Sequence, residues 1–151
     1  MNDEKSLVRI APHLYQKIVS HARKDLPLEA CGLLAGRAEQ KWDESVTWTI
    51  HECAQASNIA LDPARNFEIA PDVLLDFTKR LRETEDSMIG WYHSHPDGTS
   101  RPSITDVERI YEDRKIWLIV AEGEVTAWLS HHSGHSKGDR YFSPLCLNLA
   151  P

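Results

Sequence analysis

Trp91-Tyr92-His93-Ser94-His95-Pro96, followed by Asp97-Gly98-Thr99-Ser100-Arg101-Pro102-Ser103-Ile104-Thr105-Asp106, is the stretch on which the reading of this chain turns. Residues i and i+2 of a β-strand point to the same face. A strand ending here therefore brings the imidazoles of His93 and His95 to one point in space. Pro96 ends the strand, and a loop containing Gly98 and Pro102 leads to Ser103. Pro102-Ser103 reads as the start of a helix, with Asp106 in its first turn. Two imidazoles and one carboxylate leave a fourth tetrahedral position open, as a catalytic zinc requires.

Immediately upstream, Met88 to Tyr92 is apolar on both alternating faces, which predicts a central strand covered on both sides. Downstream, Ile104, Val107, Ile110 and Tyr111 predict an amphipathic helix. On a wheel of about 100° per residue, Ser103 falls within its apolar stripe and Asp106 at the edge, so both can face inward. Ile116–Val120 is a further buried strand. Gly123 turns into Val125–Leu129 to make a hairpin. His131 to Asp139 reads as a polar loop, Tyr141-Phe142 as a last short strand, and the tail as loose.

Towards the N-terminus, Pro71 opens a helix with Val73, Leu74, Phe77 and Leu81 on one stripe. Residues 54–65 show no period, and with Ser57-Asn58 and Asp62-Pro63 they form the candidate mobile loop. Leu28–Arg37 reads as a buried strand opening at Glu29. It is joined through the polar turn Glu39–Glu44 to Val46–His51 as a hairpin. Leu7–Ile10 is a short strand. Pro12 opens the first helix, with Leu14, Tyr15, Ile18, Val19 and Ala22 at helical spacing, and that helix stops before Pro27. The expectation is one α/β domain over residues 1–151, a mixed sheet flanked by helices.

Composition narrows the function. The 151 residues carry a formal net charge of −6 and a pI near 5.7, without the basic footprint of a general nucleic-acid binder. Met1-Asn2-Asp3-Glu4-Lys5 lacks the apolar core of a signal peptide. No apolar run reaches membrane-spanning length. Cys31, Cys53 and Cys146 are odd in number with no C-x-x-C pair, so a disulfide framework is not expected and a reducing cytoplasm is the simpler location.

Each site residue has an ordinary reading beside the chemical one. His-x-His pairs are often partly buried polar residues, Ser-x-x-Asp resembles a helix capping box, and Glu29 alone is an acidic residue at a strand entrance. The composite decides: two strand histidines, a tight loop, and a serine and aspartate on the next helix. Other patterns fall away. His51-Glu52 is followed by Gln55 where a zinc helix needs histidine. The zinc deaminase signature, His-x-Glu with Pro-Cys-x-x-Cys, is absent. His131, His132 and His135 read as a solvated loop, Cys31 as a buried small residue, and Trp42, Trp48, Trp91, Trp117 and Trp128 as strand residues that pack.

His93-x-His95, seven residues, then Ser103-x-x-Asp106, with Glu29 upstream in Glu-Ala-Cys-Gly-Leu-Leu-Ala-Gly, resembles the JAMM (MPN+) zinc metallopeptidases. The resemblance runs from about Pro12 to Trp128 and is similar to the compact prokaryotic members, including those associated with sulfur-carrier proteins. It implies the JAMM/MPN, cytidine-deaminase-like fold. It also implies one Zn²⁺ per chain held by His93, His95 and Asp106 with water as fourth ligand, Glu29 as proton carrier, and Ser103 as oxyanion donor. The implied partner is a small ubiquitin-like or sulfur-carrier protein ending in Gly-Gly, with no nucleic acid or membrane involved. The reaction favoured within that resemblance is removal of a C-terminal amino acid or short extension. The alternatives are an isopeptidase that deconjugates a ubiquitin-like protein from lysines, and a non-catalytic MPN scaffold.

Overall fold

Strands and helices follow in the order β1 (Leu7–Ile10), α1 (Pro12–Asp25), β2 (Cys31–Gln40), β3 (Val46–Ala56), α2 (Pro71–Leu81), β4 (Ser87–Ser94), α3 (Ile104–Glu108), β5 (Ile116–Ala121), β6 (Glu124–His132) and β7 (Arg140–Leu149). They come from a computed structural model that describes residues 3–134 and 137–150. His135 therefore lies outside the described residues.

The flanked mixed sheet expected from the sequence closes on itself. Its order is β1-β3-β2-β4-β5-β6-β7, and β7 returns to β1 to complete a barrel. The closing element is β1, which pairs in parallel with β3 at Leu7↔Thr47 and with β7 at Leu7↔Cys146. The short strand expected at Tyr141-Phe142 thus extends through most of the tail expected to be loose, as one ten-residue strand. Its pattern was blurred because Leu145 alone is fully buried and Pro144 interrupts it. Pro144 precedes the residues that pair with β1, so β7 carries a ladder on one side only there. That is an edge position of the kind in which proline is tolerated.

β4 serves two packed layers. Tyr92 joins Val8, Ile18, Leu34, Leu118 and Leu129 in the core beneath α1. Trp91 and Met88 pack with Leu33, Phe77 and Leu81 beneath α2. The register passes from Leu34↔Gly90 to Ala35↔Met88. Ile89 is the extra residue of a bulge, which lets both Ile89 and Tyr92 face α1. Below α1, His21 Nδ1 meets the Tyr92 hydroxyl at 2.7 Å and His21 Nε2 meets Asp25 at 3.1 Å, which ties the helix to β4. Trp91 and His93 point the other way, as alternation requires.

Gly90 lets β5 approach. A Cβ there would lie 1.8 Å from the Ile116 carbonyl oxygen, which is backbone and cannot rotate aside. Gly90→Ala is therefore expected to lower the unfolding free energy by at least about 2 kcal/mol, read as an earlier urea midpoint. A midpoint unchanged from the parent would show that β5 can move away freely.

Several sequence expectations shift at their edges. β2 opens at Cys31, leaving Glu29 just before it, while β3 runs on to Ala56 and β6 to His132. The third helix is only five residues long. Ile104 and Tyr111 are exposed, so no apolar stripe forms; Asp106 is the residue the helix buries, and Ile110 is buried just beyond its end. Trp42 sits in the β2–β3 turn, 94% exposed, while Trp48 and Trp117 are buried.

Candidate metal centre

β4 delivers His93, and α3 delivers Asp106 from the other side of the intervening loop. His95, the residue just past the end of β4, is held by its N–H donating to the Val120 carbonyl at 2.8 Å. His93 Nε2 lies 3.0 Å from His95 Nε2, His93 Nε2 lies 3.3 Å from Asp106 Oδ2, and His95 Nε2 lies 3.1 Å from the same oxygen. A tetrahedron of ligands at zinc's bond lengths of 2.0–2.1 Å has edges of about 3.3 Å. The triangle therefore matches one face of such a site. All three side chains are buried, between 0% and 8% exposed. Three donors converging with so little solvent are what a divalent cation organises, and the N, N, O set suits a borderline ion.

The surroundings fix the donors. His95 Nδ1 lies 2.6 Å from the Thr99 carbonyl; donating its N–H there would leave Nε2 as a lone pair towards the triangle, the tautomer a metal ligand needs. Phe67 stacks on His93 with centroids 4.4 Å apart, and Trp117 meets the same ring edge-on. His93 Nδ1 is buried with no hydrogen-bond partner among the described residues. Complete burial lowers the pKa of His93, against the opposing pull of Asp106, so the ring is neutral and fit to be a ligand. Burial alone would raise the Asp106 carboxyl, but hydrogen bonds from His93 and His95 hold it well below the usual carboxylate range. Burial likewise opposes protonation of His95, yet its bonds to Asp106 and Thr99 raise its pKa.

The capping box and the metal reading coexist at α3. Asp106 N–H donates to Ser103 Oγ at 3.0 Å, and Ser103 N–H donates to Asp106 Oδ2 at 2.9 Å. The cap thus orients the carboxylate that faces both imidazoles. Ser103 itself is exposed at the N-cap rather than part of a buried stripe. It lines a cleft of about 510 Å³ with Glu29, Ala64, Arg65, His95, Pro96, Asp97 and Thr99. Glu29 is 5% exposed, and desolvation pushes its pKa up from 4.5 to about 7; His95 opposes the shift and Asp106 adds to it.

Two groups that the spacing of the motif did not reveal hold Glu29 in place. Ser94, between the two histidines, points to the opposite face of β4. Ala30 N–H donates to its Oγ at 2.8 Å, while Ser94 N–H donates to the Ala30 carbonyl at 3.0 Å. This ties the end of β4 to the residue after Glu29. On the other side, Glu29 N–H donates to Pro63 O at 2.8 Å. The period-two alternation of β4 was the available signal for Ser94; Pro63 left none.

The discounted groups stay apart from this site. His51 pairs with Asp86, and Glu52 with Arg80. His131 stacks on Tyr141 and bonds Ser143, on β6 rather than in a loop. The Cys31 thiol is buried and pushed up to about 12 by desolvation, so it is no nucleophile.

Comparison with known proteins agrees with this geometry. The family model for prokaryotic homologs of the JAB domain matches residues 11–131, the span that contains every element of the cleft. The chain belongs to the prokaryotic JAB-domain family. Within it, the chain is 32% identical over 127 residues to a desampylase of Haloferax volcanii, covering 81% of this chain and 86% of that protein. It is 28% identical over 95 residues to a probable TtuB-protein conjugate cleaving protease of Thermus thermophilus, covering 63% of this chain and 57% of that one. The solution structure of a Desulfitobacterium hafniense protein superposes with a TM-score of 0.72 at 25% identity, over 95% of this chain and 94% of that one. This JAB-domain chain has no helix among its described residues long and apolar enough to cross a membrane.

Proposed function

We propose that this chain is a zinc-dependent metallopeptidase that hydrolyses the peptide or isopeptide bond after the C-terminal Gly-Gly of a ubiquitin-like or sulfur-carrier protein. The observation that carries the reading is the His93, His95, Asp106 triangle, whose His95 lines one cleft with Glu29 and Ser103. His93, His95 and Asp106 would hold one zinc ion per chain. Zinc supplies a Lewis acid that polarises a carbonyl and brings the pKa of water from 15.7 towards about 7.

The chain's own residues do the rest. The Glu29 carboxylate accepts a proton from the attacking water and returns it to the departing amine, a role for which a pKa near neutrality is suited. The Ser103 hydroxyl accepts the Asp106 N–H through its oxygen, so its hydrogen remains free to donate to the developing oxyanion. Phe67 and Trp117 exclude water from the far side of His93. β4 is paired on both sides over Gly90–His93, so no ladder edge is open beside the histidines. A glycine tail would meet the 57–66 loop instead. Absent side chains would let it pass the wall at Ala64 and Arg65.

Both forms of the reaction use this machinery. The name of the Thermus relative, a conjugate cleaving protease, favours the isopeptidase form. The convergence of His93, His95 and Asp106 weighs against the scaffold alternative. The buried Cys31 and Cys53 and the exposed Cys146 are all free thiols, which suits a cytoplasmic setting.

The direct test incubates the zinc-loaded protein with a Gly-Gly carrier bearing a C-terminal amino acid and, separately, with a lysine-linked conjugate. Mass spectrometry then reads the products. Cleavage after Gly-Gly, abolished by a chelator and restored by zinc, is the expected result; two intact substrates would overturn the reading. Ser103→Ala should lower kcat by about 100-fold or more through the lost oxyanion donor. It should also lower stability by about 1 kcal/mol through the lost cap, with zinc content unchanged by metal analysis.

A further inference from the structure

The loop between β3 and α2 reads from sequence as mobile, yet one side chain satisfies much of its backbone. Asn58 Nδ2 donates to Asn66 O at 2.8 Å, to Glu29 O at 3.0 Å and, at the longer distance of 3.4 Å, to Pro63 O. Its Oδ1 accepts Ala60 N–H at 3.0 Å and Glu68 N–H at 3.1 Å. A carboxamide has two N–H donors and two lone pairs, so every capacity of Asn58 is used. The bond to Ala60 is the Asx turn that asparagine favours. The bonds to Asn66 and Glu68 close the loop on itself, and the bond to Glu29 joins it to another part of the chain.

Glu29 is therefore gripped at both peptide groups by the loop, through its carbonyl at Asn58 and its N–H at Pro63. Ser94 holds the next residue against β4. The same loop places Ala64 and Arg65 on the wall of the cleft that Ser103 also lines. We propose that Asn58 is a positioning residue: its carboxamide locks the Glu29 backbone and the 58–68 wall into one unit, so that the Glu29 carboxylate is presented to the cleft in a single orientation. The inference rests on the reading of Glu29 as the proton carrier. It makes the wall a preformed part of the site rather than a segment that orders on the substrate tail.

Asn58→Leu keeps the size of the side chain and removes all five bonds. Asn58→Asp keeps both acceptor bonds but turns an oxygen, in place of a donor, towards three carbonyls. Either variant is expected to lower kcat by about 100-fold, the scale of a misplacement near 1 Å, while zinc content stays at the parental level. The second serves where the first fails to fold. A merely structural role is separated by a double-mutant cycle. If Asn58 acts through Glu29, Asn58→Leu added to Glu29→Gln costs less than threefold more. Losses that multiply in full, or a single variant within twofold of parental kcat, overturn the proposal.

If the parent cleaves neither Gly-Gly substrate, the proposed function fails and the metal-free protein decides this inference separately. The melting-temperature rise produced by Glu29→Gln at pH 8 should shrink by half or more in the Asn58→Leu background, because the wall would no longer desolvate Glu29. A rise of unchanged size would overturn it.

Discussion

Glu29→Gln should lower kcat by about 10³-fold, within the range for losing a general acid–base group, and should leave zinc binding intact. The same substitution should stabilise the metal-free protein. The sign follows from burial. In the unfolded chain the carboxyl ionises around its ordinary 4.5, whereas the fold holds the proton until about 7. Folding therefore loses stability as pH rises from 4.5 towards 7, and the deficit is full above that. A neutral amide carries no such penalty. The gain at pH 8 is on the order of 2–3 kcal/mol, read as a higher melting temperature that vanishes near pH 4. A bound divalent ion adds positive charge beside the carboxylate, so the acid limb of kcat/KM for the zinc form should lie at or below about 7. A variant that turns over at the parental rate would remove Glu29 from the reaction.

Asp106→Asn should abolish zinc binding and, with it, turnover. The change is nearly isosteric. The amide oxygen can still accept Ser103 N–H, so α3 remains capped and the fold is preserved. What disappears is the only formal charge in the donor triangle. With its oxygen on Ser103 N–H, the amide also places its N–H₂ at the Oδ1 position, 3.2 Å from His93 Nε2, where a ligand lone pair is needed. Metal analysis should fall from about one zinc per chain to near zero. Zinc binding the native state alone raises stability by about 4 kcal/mol at a thousand times Kd. The parent's melting temperature should therefore rise on adding zinc, and the variant's should not. Asp106→Ala, by contrast, removes the carboxylate and half the capping box together, so it should lose about 1 kcal/mol more. A variant that keeps stoichiometric zinc would show that the two histidines bind without the carboxylate.

The convergence of the candidate donors was legible in the chain because it is local. Alternation along β4, carried one residue past its end, puts His93 and His95 on one face, and a short loop with a capped helix start brings Asp106 back to them. The same local logic recovered β1, α1, the β2–β3 and β5–β6 hairpins and the start of α2. It failed where a local pattern is weak and a distant partner supplies the order. β7 has one fully buried side chain and a proline, so its strand character comes from β6 and β1. The stripe drawn on α3 dissolved because the helix stops after five residues, leaving Ile104 82% exposed.

The sequence by itself determined which side chains share a strand face and where a turn must fall, since both follow from backbone geometry over a few residues. It also placed Glu29 beside a buried apolar run. Only the tertiary structure decided that Glu29 lies in the cleft of His95 and Ser103, that its carboxyl is desolvated, and that Asn58 and Ser94 hold it there. Those facts depend on segments 29 and 64 residues apart meeting. Burial and electrostatic shift are properties of what surrounds a group, and the chain's linear order does not specify its surroundings.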